Sequence, residues 1–380
     1  MTCSPRTGAS RAAIALLAVA CLLSTLDAIA APPAENSYPH KSVRRKEYGW
    51  GARSYWLYEP AEPAPATAPV VVLNHGWLAV NPGAYGAWID HLSRSGNIVI
   101  YPRYQTDAFT WPAEFLPNAL AAVLDALDVL DSAPGHVRPD RNRFALIGHS
   151  AGGNLAAQMA AMASETRLPR PRAVIAMMPG EVQAMREPDL GKIPPETLLV
   201  VAVAEDDRVV GDARAREIFT QARAIPPSRK KYILYRSDLH GMPRLVAHHL
   251  SPTAGHSGFD SGDGLFVNYQ MTKAEINAFD HAGFWRMADV TLNAAFTGRS
   301  LDEATSNGES FRHLGYWSDG RAVERPIVGD DLTKIPRVYP TNGVRLIKWT
   351  PDLPWAGFDS LLDRPTTALG GAGFETAKRR

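Results

Sequence analysis

Short apolar runs alternate with amphipathic stretches along the middle of the chain. The runs at 70–73, 97–101, 172–178 and 197–204 hold few charges or none, as strands buried on both faces require. Between them, apolar residues recur every three or four positions, which predicts helices. The pattern predicts strands at 53–58, 70–73, 97–101, 141–147, 172–178, 197–204 and 231–235, and helices at 83–95, 112–132, 154–164, 212–223 and 277–296.

This alternation predicts an α/β fold. We expect a mostly parallel central sheet of about eight strands with helices on both faces. The connection at 179–196 is short, so no large cap domain is expected there. Residues 42–340 would form the domain, preceded by a Pro-rich linker at 31–41 and followed by an irregular tail at 341–380.

The first 30 residues have the composition of a secretory signal peptide. Arg6 and Arg11 precede an apolar run at 12–23, and Ala28-Ile29-Ala30 follows as a small-x-small cleavage site. The run is short for a stable membrane span. We therefore expect a secreted or periplasmic protein, with an uncleaved anchor or a lipid anchor on Cys21 as alternatives.

Composition narrows the possible partners. The 380 residues carry a formal net charge of +1, which gives no reason to expect a nucleic acid partner. Both cysteines, Cys3 and Cys21, lie in the segment to be removed, so the mature chain would have no disulfide and no thiol nucleophile.

Gly148-His149-Ser150-Ala151-Gly152 matches the G-x-S-x-G nucleophile elbow, with a predicted strand before it and a predicted helix after it. This turn exposes a serine hydroxyl, and the flanking glycines let strand and helix pass closely. A structural glycine turn is the alternative. The context favours Ser150 as a nucleophile.

A serine nucleophile needs a base, and the base needs an acid; on this fold the acid comes next along the chain and then the histidine. Asp207 follows the strand at 197–204 and is preferred over Asp206 because Val209 and Val210 come just after it. His240 follows the strand at 231–235 and is the predicted base. Four other histidines compete with it: His248 and His249, in a segment that looks helical, and His256 and His281.

An oxyanion hole requires two backbone N–H donors. Ala151 is the first predicted donor, and Trp77, in the loop after the strand at 70–73, is the second. Trp77, Leu78, Tyr85 and His149 are the predicted substrate-binding residues, although the aromatic side chains could instead pack on the sheet. No cofactor and no metal ion is expected.

These motifs resemble the α/β-hydrolase fold over about 54–298. Within that group, His75-Gly76-Trp77, Tyr85 and Gly-His-Ser-Ala-Gly-Gly are similar to the chlorophyllases, dienelactone hydrolases and polyester hydrolases. The segments at 83–104 and 284–286 look like those of uncharacterised secreted bacterial hydrolases. The resemblance implies acyl transfer to water by a serine hydrolase. The chain lacks an HGGG loop, and its mature part has no counterpart of the polyester hydrolases' disulfides.

The leading hypothesis is thus a secreted serine hydrolase, of the carboxylesterase or lipase type, acting on a small-molecule or lipid-like ester. A prolyl-oligopeptidase-type peptidase uses the same triad order, but the chain offers no propeller. A non-catalytic binding protein that keeps the fold is the third alternative.

Overall fold

The computed structural model describes residues 28–29, 37–262, 274–305 and 311–340. The predicted tail at 341–380 lies outside the described residues, as do all but two residues of the predicted signal peptide and residues 31–36 of the predicted linker.

Eleven strands are present among the described residues. They are β1 (Ala28–Ile29), β2 (Ser42–Tyr48), β3 (Tyr55–Ala61), β4 (Thr67–Asn74), β5 (Ile98–Pro102), β6 (Arg138–His149), β7 (Ala173–Met177), β8 (Leu198–Ala204), β9 (Lys230–Tyr235), β10 (Tyr316–Trp317) and β11 (Ile327–Gly329).

Nine of these strands form one open sheet, in the order β11-β9-β8-β7-β6-β4-β5-β3-β2. The strands from β5 to β9 in this order pair in parallel, whereas β2, β3 and β11 are antiparallel at the two edges. The expectation of a mostly parallel sheet is confirmed. The remaining two strands, β1 and β10, pair with each other.

Helices cover both faces of the sheet, as expected. They are α1 (Gly86–Arg94), α2 (Phe115–Ser132), α3 (Ala151–Ala161), α4 (Ala213–Gln221), α5 (Arg286–Thr297) and α6 (Leu301–Thr305). Buried side chains of α2, α3 and α4 share one hydrophobic cluster with one face of the sheet. Those of α1 and α5 share the cluster on the other face. No helix in the described ranges is both long and apolar enough to cross a membrane.

Strand β3 contributes side chains to both hydrophobic clusters. Side chains alternate across a strand, so Tyr55 and Leu57 enter one cluster while Trp56 and Tyr58 enter the other. All four are fully buried. Two covered faces account for the apolar runs that predicted the central strands.

Two strands escaped the sequence pattern. Strand β2, Ser-Val-Arg-Arg-Lys-Glu-Tyr, is mostly exposed at the sheet edge, where charged side chains are tolerated and protect against further pairing. Strand β11 has only three residues. The helix predicted at 277–296 is also different in detail, because a π-helical segment, Phe279–Trp285, precedes α5.

The carboxyl ends of the parallel strands meet at one edge of the sheet. Strand β4 ends at Asn74 and β6 at His149, while β8 ends at Ala204 and β9 at Tyr235. The loops that leave these ends carry the predicted site residues, which is where open α/β sheets place their sites.

Candidate active site

Ser150 connects β6 to α3 in a strained conformation. Its backbone angles are φ 57° and ψ −126°, outside the regions that a residue with a side chain prefers. Such a residue costs about 1–3 kcal/mol and persists only where its surroundings hold it. Here the Ser150 N–H donates to the Met177 carbonyl, and the Ser150 carbonyl accepts from the N–H groups of Gly153 and Gly180.

The two glycines beside Ser150 allow the tight turn. A Cβ on Gly148 would overlap the carbonyl of Gly152, and a Cβ on Gly152 would overlap the carbonyls of Asn74 and His75. Both collisions involve backbone atoms, which cannot move aside without disturbing the sheet. The close passage of β4, β6 and α3 therefore depends on glycine at 148 and 152.

A buried histidine and a buried aspartate line up with the serine hydroxyl. His249 Nε2 lies 2.9 Å from Ser150 Oγ, and His249 Nδ1 lies 2.9 Å from Asp207 Oδ2. A carboxylate can only accept, so Nδ1 carries the proton and Nε2 is free to accept from the serine hydroxyl. The three groups have the geometry of a nucleophile, a base and an orienting acid.

Asp207 is the carboxylate that meets the histidine, not Asp206. Its other oxygen, Oδ1, accepts from the N–H groups of Val209 and Val210, each at 2.9 Å, and its side chain is fully buried. Asp206 instead accepts from the Ser237 hydroxyl at 2.6 Å and pairs with Arg208. The preference for Asp207 therefore agrees with the geometry.

The structure does not bring His240 to Ser150, and the placement expected for it is wrong. Asp238 bonds Leu245 across a short antiparallel bridge, and His240 lies in the loop that this bridge closes. Its Nε2 lies 2.7 Å from Asp319 Oδ2, and its Nδ1 lies 2.9 Å from an Arg321 nitrogen. Both ring nitrogens of His240 thus have partners other than Ser150.

His249 was passed over because its segment looked helical, yet it lies in a turn that is neither helix nor strand. His240 and His249 both follow β9, so chain order does not separate them. Local apolarity does not separate them either, because Leu239 directly precedes His240 and Leu250 directly follows His249.

Trp77 and Ala151, whose backbone N–H groups are the predicted oxyanion donors, both line the cleft together with Ser150. Ala151 begins α3, so its N–H has no intrahelical acceptor. Trp77 lies in a turn closed by a hydrogen bond from the Ala79 N–H to the Gly76 carbonyl. A Cβ on Gly76 would lie 3.3 Å from the Ser150 Cβ, so this turn presses closely on the serine.

The four predicted substrate-binding residues have different environments. Trp77, Tyr85 and His149 line the cleft together with Ser150. The hydroxyl of Tyr85 and both ring nitrogens of His149 are already engaged within the protein, so neither residue has a polar atom to offer a substrate. Leu78 is not among the lining residues: its φ is 65° and its N–H donates to Gln105 Oε1, which turns the chain away.

The cleft has an empty volume of about 550 Å³, its open mouth included. Its wall is mainly apolar, and the sequence predicted no substrate-binding role for half of the residues that form it: Gly180, Glu181, Val182, Val209, Val210, Leu250 and Thr253. Burial and the neighbouring Glu187 carboxyl raise the pKa of Glu181. The cleft lining therefore includes, directly after Gly180, a carboxyl whose ionisation is disfavoured.

The side chain of His75 supports the turn that contains Trp77. Its Nε2 lies 2.8 Å from the Arg103 carbonyl, and its ring stacks on Tyr104 at 4.1 Å between centroids. Complete burial lowers its pKa to about 4. His75 is therefore neutral at ordinary pH. Across the described residues, no group of three or more His, Cys, Asp or Glu side chains could hold a metal ion.

A family model of the alpha/beta hydrolase fold matches residues 72–244. The matched segment begins in β4, includes Ser150 and Asp207, and ends before His249. No curated protein matches the chain. The match and the sheet topology together show an α/β-hydrolase fold.

Proposed function

We propose that the protein is a serine hydrolase that cleaves carboxylic esters through an acyl-enzyme intermediate. The observation that carries the proposal is the continuous contact from Ser150 Oγ through His249 to Asp207, with 2.9 Å at each step. His249 takes the hydroxyl proton as Ser150 attacks the ester carbonyl. His249 then gives that proton to the leaving alcohol, and Asp207 stabilises the imidazolium in between.

The N–H groups of Trp77 and Ala151 form the oxyanion hole in this proposal. The negative charge of the tetrahedral intermediate develops on the former carbonyl oxygen, and fixed N–H donors stabilise it without reorganising. Both residues line the same cleft as Ser150. Water then attacks the acyl-enzyme with His249 as the base, and the acid is released.

An ester, not a peptide, is the substrate that the cleft favours. Its wall is apolar at Val182, Val209, Val210 and Leu250, which suits a short acyl or alkyl group. We therefore take an ester as the substrate, and a panel of peptide substrates tests the alternative.

The test compares wild type with Ser150→Ala on p-nitrophenyl acetate and butyrate, beside a panel of peptide p-nitroanilides. We expect ester turnover to fall about 10⁴-fold or more in the variant, since removing a nucleophile leaves only the binding and oxyanion contributions. A fluorophosphonate probe should label wild type and not the variant. Equal ester turnover by the two proteins would contradict the proposal.

We further propose that the chain is exported and cleaved after Ala30, on the composition of residues 1–30. Cleavage there would remove β1. Sequencing the amino terminus of the protein recovered from the periplasm or medium tests this proposal. A mature chain that begins at Ala31 is the expected result, and an intact amino terminus in the cytoplasm would contradict it.

A further inference from the structure

His149, the residue before the nucleophile, is completely buried and uses both ring nitrogens. Its Nε2 lies 2.7 Å from the His249 carbonyl oxygen, and its Nδ1 lies 2.7 Å from the Tyr85 hydroxyl. A carbonyl oxygen only accepts, so Nε2 must carry the proton. Burial, reinforced by the nearby His249 ring, holds the pKa of His149 well below its usual range. The ring is therefore neutral, and its Nδ1 accepts from Tyr85.

The Tyr85 hydroxyl donates to His149, so it has lone pairs left for the other group within reach. The Gly76 N–H donates to it at 3.0 Å. Four groups thus form one directed chain: Gly76 N–H to Tyr85, Tyr85 to His149, and His149 to the His249 carbonyl. Burial raises the pKa of Tyr85, which keeps its donating proton in place.

This chain joins two segments that have no regular structure of their own. One is the turn at 76–79, which presents the Trp77 N–H, and the other is the turn at 249–252, which presents the His249 ring. Local turn hydrogen bonds shape each segment but do not set the distance between the two, which depends on tertiary hydrogen bonds and packing. Both segments approach Ser150, the first at Gly76 and the second through the His249 ring, so the chain links the two groups that meet at the reacting serine.

We propose that His149 is a positioning residue that, as a neutral Nε2–H imidazole, couples the oxyanion turn to the base His249. The inference rests on the proposed function, because it assigns a reason for the spacing of the catalytic groups. His149 must also stay neutral, since its ring centroid lies 5.0 Å from that of His249, which takes a proton during the reaction. A second cation there would oppose that proton transfer.

Three substitutions separate positioning from simple packing. His149→Leu removes the donor and the acceptor, His149→Gln keeps an N–H near the position of Nε2, and Tyr85→Phe keeps the ring but removes the link to Gly76. We expect His149→Leu to lower kcat for p-nitrophenyl butyrate about 30- to 100-fold with KM changed less than about 3-fold, as loss of a transition-state contribution does. His149→Gln should recover kcat to within about 5-fold of wild type.

The Tyr85→Phe variant should lower kcat about 10-fold, and adding it to His149→Leu should cost little more, because residues of one network are not additive. A kcat within about 3-fold of wild type in folded His149→Leu overturns the proposal. Should that variant fail to fold, an equal kcat for Tyr85→Phe and wild type overturns it. Independent, multiplying effects of the two substitutions also count against it.

The tautomer gives a readout that needs no turnover. Two-bond ¹H–¹⁵N spectra of wild type at pH 7 should show the His149 ring neutral and protonated on Nε2. A ring protonated on Nδ1, or on both nitrogens, overturns the chain of donors. Should Ser150→Ala keep full ester turnover, the proposed function fails, while these spectra still decide the state of His149.

Discussion

Two histidines in the connection after β9, His240 and His249, have opposite environments. His240 lies on the surface, where Asp319 and Arg321 occupy its ring. His249, later in the same connection, is buried and contacts Asp207 and Ser150. Each has a carboxylate partner on one ring nitrogen. The other nitrogen differs: at His240 it faces a cation that must donate to it, and at His249 it faces a hydroxyl that can lose a proton.

A contact between a carboxylate and a histidine is therefore not enough to identify that histidine as a catalytic base. A general base in this reaction needs the substrate-attacking hydroxyl within hydrogen-bond reach of its free nitrogen, and shelter from water that would compete for that nitrogen. The His240 side chain is 24% exposed, against 6% for His249. Burial and the third partner separate a structural histidine from a catalytic candidate.

Replacing each histidine by alanine tests this comparison and should give the largest difference in activity. His249→Ala should lower kcat/KM for p-nitrophenyl butyrate about 10⁴-fold or more, since a triad without its base keeps only residual catalysis. His240→Ala, the matched control, should change it less than about 3-fold. Steady-state kinetics of both variants decide the point, and a larger loss in His240→Ala would return the role to His240.

The two carboxylates can be compared in the same way. Asp207→Asn should lower kcat about 10³- to 10⁴-fold, because an amide no longer enforces the Nδ1–H tautomer of the base. Asp319→Asn, which alters only the surface partner of His240, should leave kcat within about 2-fold of wild type. Similar losses in both variants, at equal folded fraction by circular dichroism, would contradict the assignment.

The stability of the protein should also depend on pH through the buried residue His75. His75 has a folded pKa of about 4, below the ordinary value of 6.5. The unfolded chain binds the proton first as pH falls, so the stability due to neutral His75 is present above pH 6.5 and is lost toward pH 4. Linkage gives a loss of about 2 kcal/mol between pH 7 and pH 5.

Urea denaturation at those two pH values measures this loss. His75→Gln keeps an N–H for the Arg103 carbonyl but cannot titrate, so the decrease should be smaller in the variant by about 2 kcal/mol. Equal decreases in the two proteins would show that His75 takes no part in the pH dependence.

Asp238, a buried carboxylate in the loop of His240, should affect stability and hardly activity. Burial alone would raise the pKa of Asp238, but hydrogen bonds from Trp317 and from the N–H groups of His240 and Glu324 outweigh it and lower that pKa. Asp238→Asn should therefore cost about 1–2 kcal/mol of folding free energy. The kcat per folded molecule should stay within about 3-fold of wild type. Thermal melts and kinetics on one preparation check both, and a drop in kcat without a drop in Tm would contradict the expectation.

Much of the fold was predictable because the central strands are buried on both faces and read as apolar runs. Strand β2 was not, since its Arg-Arg-Lys-Glu sequence is set by its position at the sheet edge and carries no alternation. Strand β11 is too short to give a pattern. These elements depend on neighbours that are distant along the chain.

The site residues show the same difference between positions fixed by the local sequence and positions fixed by distant contacts. Ser150 and Asp207 follow directly from strand ends, where local sequence and sheet geometry fix the position. His249 lies fourteen residues beyond the end of β9, in a segment whose course depends on tertiary contacts such as the hydrogen bond from the Asp206 N–H to the Ala247 carbonyl. Nothing in the local sequence encodes that contact, so the sequence favoured the nearer histidine.

The elbow also has a use for labelling. Cys3 and Cys21 are the two cysteines of the sequence, and both precede the domain. A Ser150→Cys variant without the first 30 residues would therefore carry a single thiol, in the lining of the cleft. A spin label or fluorophore attached there would report directly on the solvent, viscosity and width of the cleft, at one defined position in the molecule.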